Sequence, residues 1–491
     1  MWSGSELREL LQEITGAVAI LATVSTVLTL LWVLTIKRDS MSATAWCLVI
    51  ILVSPIPFLG PLLFLLLGYQ TVHRPLTRKQ RHVVTFRQRY PGHRRSALAL
   101  AETADELKPA WADFAGLARR FDAFPISSGN RIEFYHDSKP AFDAKLEAIE
   151  SARDHIHLEY FIVQPDGTGR RFLDTLARKA RAGVEVRLLY DAMGSRRLSR
   201  AALEPLVKAG GRCAAFLPLN PLRRRIQVNL RNHRKILVVD GRVAFTGGLN
   251  IGDEYLGLVP YYGYWRDTHL KIEGPAVACL QRIFVEDWDF AAQEQVQGGR
   301  YFPTLSAAGD CAVQVIQSGP DQALKSIREV FFAAILRAKK RLWIASPYFV
   351  PDAGLLNALR LAGYLGVDVR FLGLFHPDKW IPYYAARFYW GDVMDAGIKV
   401  YQYTRGMMHA KVMLVDDDWA TVGTANLDNR SMHLNFEVNC LFYSPAVVAE
   451  LEEAFRRDLE VSIQLDREVY AHRPFSGQLI ENACRLLSPV L

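Results

Sequence analysis

The sequence predicts an α/β fold built from two copies of one unit, preceded by a two-helix transmembrane hairpin. Three observations lead to it. Helical and strand patterns alternate beyond about residue 120, the same order of patterns recurs at a lag of 170–188 residues, and two long apolar runs without a charge open the chain. A solenoid would repeat every ~20–50 residues, so a lag this long marks two copies of one unit.

The apolar runs come first. Residues Ile14–Ile36 and Ser40–Val72 carry no charged side chain over 23 and 33 positions, and about 20 residues cross a bilayer core as a helix. A cleaved signal peptide is disfavoured, because the segment before the first run holds Glu6, Glu9 and Glu13 against Arg8 and the run is too long for an h-region. Pro55, Pro57 and Pro61 interrupt the second run, which membrane helices tolerate better than soluble ones. The connecting "KRDSMS" is short, so both chain ends lie on one side.

Next comes the charge. The formal net charge is +8, and eight Lys/Arg with no acid lie between Thr71 and Arg95, so that stretch carries the whole excess. Basic residues beside membrane helices stay cytoplasmic. The large C-terminal portion is therefore expected on the cytoplasmic side of a membrane, with anionic lipid headgroups drawn to the basic stretch. The remainder is neutral and lacks the distributed basic surface that dominates nucleic-acid affinity, so no nucleic-acid partner is expected. Six scattered cysteines without a CxxC pair suit a reducing compartment and give neither a zinc site nor a disulfide framework. No metal and no cofactor are expected. The domains read as a hairpin over 1–70, a basic juxtamembrane linker over 71–120, a first repeat over 121–300 and a second over 301–491.

Within the repeats, "AFDAKLEAIESARDHIHLEYFIVQPDGTG" matches "QALKSIREVFFAAILRAKKRLWIASPYFVPDAG", and "AGVEVRLLYD" matches "LGVDVRFLGL". The sharpest match is "NHRKILVVDGRVAFTGGLN" with "MHAKVMLVDDDWATVGTAN", 176 residues apart. On a strand, side chains two apart share a face, which sets His233 beside Lys235 and His409 beside Lys411. Asp240 and Asp416 stand seven positions after the His, an odd separation, so they point to the opposite face and read as mainly structural. Gly247 and Gly423 are placed to let backbone approach an anion, and Asn250 and Asn426 to donate from their amides. "WRDTHLKIEGPAV" aligned with "NFEVNCLFYSPAV" supplies Asp267 and Glu437 as carboxylates able to fix an imidazole tautomer.

Two His, two Lys and two Asn suit phosphoryl transfer, in which positioning and stabilisation of charge on the equatorial oxygens do most of the work. One imidazole attacks phosphorus while the other protonates the leaving oxygen and then deprotonates the incoming hydroxyl.

The pattern H-x-K-x4-D-x6-G-x2-N, present twice, resembles that of the phospholipase D superfamily. Nearly the whole chain, including "PIPFLGPLLFLLLGY", "GGLNIGDEYLG", "SPYFVPD", "GTANLDNRSMHLNFEV" and "LLSPVL", is similar to the bacterial cardiolipin synthases within it. The resemblance implies a phospholipase D-like catalytic domain, phosphatidylglycerol as substrate, and condensation of two of these lipids into cardiolipin and glycerol through a phosphatidyl-histidine. It carries His233, Lys235, Asp240, His409, Lys411 and Asp416 over as catalytic residues, with Asn250 and Asn426 as support. It also favours His233 as nucleophile, leaving His409, oriented by Glu437, as general acid and base.

Two further features bear on substrate. Arg223, Arg224, Arg225, Arg231 and Arg234 precede or interleave the first motif and read either as a solvated basic loop or as an anionic-headgroup funnel. "KWIPYYAARFYW" (379–390) sets an aromatic cluster on a helix, read either as core or as membrane interface. The rivals are a phospholipase D-type hydrolase, another headgroup-exchanging phosphatidyltransferase, and a membrane-tethered phosphodiesterase or nuclease.

Overall fold

A computed structural model describes residues 4–35, 47, 50–51, 56, 58–63, 109–218 and 229–491. By its internal contacts the chain divides into two units, Met1–Arg74 with Leu219–Asn229, and Pro75–Pro218 with Leu230–Leu491.

In the first unit, α1 runs Gly4–Thr35 and α2 is a short helix, Leu59–Leu63. Leu10–Leu31 is, among the described residues, the helical stretch long and apolar enough to cross a membrane. Ile14, Val18, Leu21, Leu28 and Leu31 stand exposed along it. Its threonine hydroxyls are satisfied internally: Thr15, Thr23, Thr26 and Thr29 each donate to the carbonyl one turn back, as an apolar surrounding demands. Most of the second apolar run over 40–72 and the basic stretch at 71–95 lie outside the described residues.

The second unit is the α/β body. The stretch expected as linker ends in a helix, α3 (Pro109–Arg120), whose Trp111 stacks on Trp419 at 5.9 Å and whose Phe114 meets the same indole edge-on. These residues belong to the second repeat's core.

The first repeat then runs β1 (Ser127–Asp137), α4 (Ser138–Ser151), β2 (His155–Tyr160), α5 (Gly167–Arg181), β3 (Glu185–Asp191), α6 (Arg200–Lys208), β4 (Arg212–Phe216), β5 (Arg231–Asn232), β6 (Lys235–Val239), β7 (Val243–Gly247), β8 (Tyr264–Glu273) and α7 (Val277–Ala292). The second runs β9 (Cys311–Ser318), α8 (Ser326–Arg337), β10 (Arg341–Ala345), β11 (Phe349–Val350), α9 (Ala353–Tyr364), β12 (Asp368–Leu374), α10 (Trp380–Asp395), β13 (Lys399–Tyr403), β14 (Gly406–Met408), β15 (Val412–Val415), β16 (Trp419–Gly423), β17 (Leu427–Asp428), α11 (Asn429–His433), β18 (Asn435–Phe442) and α12 (Pro445–Glu460). After these come β19 (Ser462–Gln464), α13 (Arg467–Ala471) and α14 (Phe475–Arg485).

The strand order is the same in both. The first repeat reads β4-β3-β2-β6-β7-β8-β1, with β2, β3 and β4 parallel and the other neighbours antiparallel. The second reads β13-β12-β10-β15-β16-β18-β9 with the same directions. β1 pairs antiparallel with β9. Equivalent strands thus meet across a pseudo-two-fold axis, as in an isologous dimer fused into one chain. Strands β6, β15 and β16 are buried along their whole length, which explains their near-continuous apolar runs.

Two strands cross the axis. β5 adds parallel to β18 of the other repeat, and β14 adds parallel to β8.

Asp240 and Asp416 close the β6–β7 and β15–β16 hairpins, both at φ 52°. Asp240 accepts the backbone N–H groups of Arg153, Asp154 and His155 at 2.8–2.9 Å, and Asp416 those of Lys339, Lys340 and Arg341. The structure places both carboxylates at the end of the strand away from the motif His, where they hold the helix-to-strand turn in the structural role that strand parity implies. Asp240→Ala should therefore cost about 2–3 kcal/mol by stranding those N–H groups. Denaturant titration would show it, while turnover per folded molecule stays near the parent value. A large loss of turnover without loss of stability would restore a catalytic role.

Candidate active site

The crossing strands deliver the motif residues to one place. β5 runs alongside β18 and hands on to His233, whose N–H donates to the Phe436 carbonyl at 2.9 Å; β14 does the same for His409, whose N–H donates to the Arg266 carbonyl at 2.7 Å. One residue beyond each of these carbonyls stands a carboxylate. His233 Nδ1 lies 3.0 Å from Glu437 Oε2, and His409 Nδ1 lies 2.6 Å from Asp267 Oδ2. Each imidazole is thus oriented by the other repeat. His409 pairs with Asp267 and not, as the sequence led us to expect, with Glu437, because its strand is seated on β8 and not on β18.

With Nδ1–H donated to a carboxylate, each ring keeps Nε2 as its free lone pair. Phe161 stands edge-on to His233 at 4.9 Å, and Trp265 is tilted against His409 at 5.1 Å. Lys235 Nζ donates to the His233 carbonyl at 2.7 Å and Lys411 Nζ to the His409 carbonyl at 2.5 Å. The two sets lie within each other's field: His233 feels Lys411, and His409 feels Lys235.

That field sets the protonation states. Burial, then Lys235 and Lys411, hold His233 well below the ordinary imidazole range. Burial and Lys411 bring His409 down to about 4, against the opposing pull of Asp267. Burial lowers Lys235 to about 7 and Lys411 to about 8. The two carboxylates differ. Burial pushes Glu437 up to about 7. The same burial acts on Asp267, but His409 and Lys411 outweigh it and keep that carboxyl below its usual range.

The supports of the two carboxylates differ in step. Thr424 Oγ1 donates to Glu437 Oε2 at 2.6 Å and Asn435 Nδ2 to its Oε1 at 3.1 Å. The first repeat has Gly248 where the second has Thr424, and a Cβ there would fall 1.9 Å from Asp267 Oδ1. Asp267 takes the Thr268 backbone N–H at 2.8 Å instead.

Several expected roles move. A Cβ on Gly247 would meet the Thr268 carbonyl at 2.6 Å, and one on Gly423 the Val438 carbonyl at 2.4 Å. Both glycines thus serve close strand-to-strand approach. Asn250 Oδ1 accepts from the Ile162 N–H at 3.1 Å, which anchors that side of its amide. Asn426 Nδ2 is already given to Asp428 Oδ2 at 3.2 Å. Arg234, read as part of either a solvated basic loop or a headgroup funnel, is 1% exposed. It ion-pairs with Asp287 and donates Nε to the Glu437 carbonyl at 3.2 Å. Arg231 is half-buried beside Asp191 and Arg430, with burial lowering it to about 10. Arg223, Arg224 and Arg225 lie outside the described residues. On α10, Trp390 is buried in the core while Trp380 is 65% exposed, so the aromatic cluster serves both readings in part.

Sequence reasoning missed Lys379 and Arg430, whose charges also reach His233. Arg430 falls where the first repeat carries Glu254, so repeat matching could not find it, and Lys379, opposite Arg196, lies beyond the matched segments. It also missed a buried polar group near Asp267. Lys145 Nζ sits 4.2 Å from the Phe142 ring centre, and it, Tyr160 Oη, Thr246 Oγ1 and both His269 nitrogens have no hydrogen-bond partner among the described residues. Burial lowers Lys145 to about 7.

A family model described as "Cardiolipin synthase, PLD-like domain" matches residues 146–288 and 331–459. The chain belongs to this phospholipase D-like cardiolipin synthase family. Membership makes it an enzyme of the phosphatidyltransferase class. Among curated relatives, a cardiolipin synthase of Alkalihalophilus pseudofirmus is 46% identical over 377 residues, covering 76% of this chain and 75% of its own. One from a Geobacillus strain is 39% identical over 483 residues, covering 97% and 94%. Among solved structures, a phosphatidylserine synthase of Haemophilus influenzae shares the fold with a TM-score of 0.59 at 19% identity, covering 73% of this chain and 95% of its own.

Because Lys235 and Lys411 are charged below about 7 and 8 and neutral above, the empty site loses positive charge as pH rises. Binding of inorganic phosphate, followed by calorimetry, should weaken steadily between pH 6.5 and 9. A flat profile beyond the ionisation of phosphate itself would count against these assignments.

Proposed function

We propose that the chain condenses two phosphatidylglycerol molecules into cardiolipin and glycerol, through a phosphatidyl-histidine on His233. The observation that carries this reading is the pair of crossed His–carboxylate contacts, with a lysine beside each ring. The names of the curated relatives supply the lipid. Lys235 and Lys411 neutralise the phosphodiester. Its negative charge raises both imidazoles in return.

In the first half-reaction His233 Nε2 bonds to phosphorus as the bond to the glycerol oxygen breaks, and His409 gives its proton to that oxygen. In the second, His409 takes the proton from the terminal hydroxyl of another phosphatidylglycerol, whose oxygen displaces the histidine. The unequal electrostatics support this division. A nucleophile needs a neutral ring, and burial with Lys235 and Lys411 holds His233 well below the ordinary imidazole range. An acid needs a partner for its imidazolium, and Asp267 remains a carboxylate beside His409. The helix α1 would anchor the body at the cytoplasmic face of the inner membrane.

Purified enzyme given phosphatidylglycerol in chelator should make cardiolipin and one glycerol per turnover. Phosphatidic acid as the sole lipid product would assign a hydrolase instead.

The roles separate with a p-nitrophenyl phosphodiester lipid, whose leaving group needs no proton. His409→Ala should still accumulate the adduct on position 233, at a rate within about tenfold of the parent. His233→Ala should form none. An adduct on His409 in the parent enzyme would reverse the assignment.

A further inference from the structure

The helix α14 is mounted inside out. Along Phe475–Arg485 and the two leucines that follow, Phe475, Leu479 and Leu486 share one face at helical spacing, and they are 78%, 59% and 74% exposed. On the face turned to the protein stands Glu481, which is 1% exposed. Its carboxylate is held by Arg387 Nε and Arg473 Nε, each at 2.8 Å. A helix resting on a water-soluble body normally turns its apolar stripe inward and its acid outward. Here an ion pair seats the helix and leaves the stripe facing outward. A contiguous apolar face of this kind is stable when it meets something other than water.

What it meets is read from its neighbours. α14 lies on α10, where Arg485 extends over the Phe388 ring at 4.3 Å and Tyr389 Oη bonds Ser488 Oγ at 3.0 Å. The chain then passes Ser488, whose carbonyl takes Asn429 Nδ2 at 3.1 Å, to Leu491, whose carbonyl takes the Arg430 N–H at 2.6 Å. Arg430 is one of the cations whose field reaches His233, and so is Lys379, the residue that precedes α10. The next residue, Trp380, is among the exposed aromatics. An apolar stripe, exposed Arg485 and Lys379, and a Trp at the rim, all tied to the helix beside the phosphate site, match the chemistry of an anionic bilayer surface.

We propose that α14, with the adjoining end of α10, is the surface by which the catalytic body docks on the bilayer, burying Phe475, Leu479 and Leu486 among acyl chains so that lipid phosphates arrive at the level of Arg430 and Lys379. The proposal rests on the lipid-substrate reading above and adds to it a place of entry.

The test uses the full chain reconstituted in vesicles of phosphatidylglycerol and phosphatidylethanolamine. A bimane label on Leu479→Cys, with the labelled parent chain subtracted for its native cysteines, should be quenched by lipids carrying a nitroxide on the acyl chain. No quenching above that background overturns the proposal, and is the outcome if a second copy or another stretch of this chain covers the stripe. The combined variant Phe475→Ser, Leu479→Ser, Leu486→Ser should lose about tenfold or more in turnover of vesicle phosphatidylglycerol. It should stay within about twofold on monomeric dihexanoyl phosphatidylglycerol, which needs no docking. Equal loss on both substrates, or none on vesicles, also overturns it. The quenching arm is independent of turnover, so an enzyme that docks yet makes no cardiolipin would sink the substrate reading and leave this one standing.

Discussion

Everything at the centre of this molecule depends on the exchange of carboxylates between the repeats. His233 is held by Glu437 and His409 by Asp267, and neither contact is possible inside one repeat. The exchange follows from two short strand additions, β5 on β18 and β14 on β8. Each brings a motif His one backbone hydrogen bond away from the carboxylate strand of the other half. The lysines reach the carbonyl of their own His, so the backbone turn that aims the ring also aims the ammonium. One pseudo-two-fold axis thereby brings two imidazoles and two cations to one site, a preorganised arrangement of the kind the proposed phosphoryl transfer needs.

Around that symmetric centre the packing is deliberately unequal. Behind His233 lies a polar network: Asn232 Nδ2 donates to Glu159 Oε1 at 2.5 Å, and Arg234 bridges Asp287 to the Glu437 carbonyl. Burial and the neighbouring Asp287 push the Glu159 carboxyl well up. At the equivalent positions behind His409 stand Ala345, Met408 and Ala410, all buried. On the proposed division of roles, a nucleophile that must hold an in-line attack angle gains from a hydrogen-bonded mount. A ring that accepts and returns a proton to a moving hydroxyl tolerates a softer, apolar one.

The repeat itself and the identity of the central residues were legible in the chain, because lag and spacing survive any change in the apolar filler. Strand parity alone separated His233 and Lys235 from Asp240. What the sequence could not reveal was contact between repeats: aligning the copies places Glu437 beside His409 by analogy, whereas three-dimensional exchange places it beside His233. Arg234 shows the same limit. A run of arginines reads as a solvated patch or a funnel, and only the position of Asp287 on α7, 53 residues on, shows that this one is buried. Arg430 escaped because it breaks the repeat, standing opposite Glu254, and Lys379 because it lies beyond the matched segments. The inverted face of α14 escaped for a different reason, since periodicity identifies an apolar stripe but not the direction in which it is turned.

The exchange also changes how the two halves can evolve. Glu437 stands 204 residues from the ring it orients, and Asp267 142 residues from its own. A substitution in either copy is therefore felt first in the other, and compensation must appear across the repeat boundary. Selection acts on the pair as a single heritable unit. Had the copies remained separate genes, each lineage of one would have had to track the drift of its partner. Joined in one chain, they are inherited together, and each half became free to acquire features, such as Arg234 or Arg430, that the other does not share.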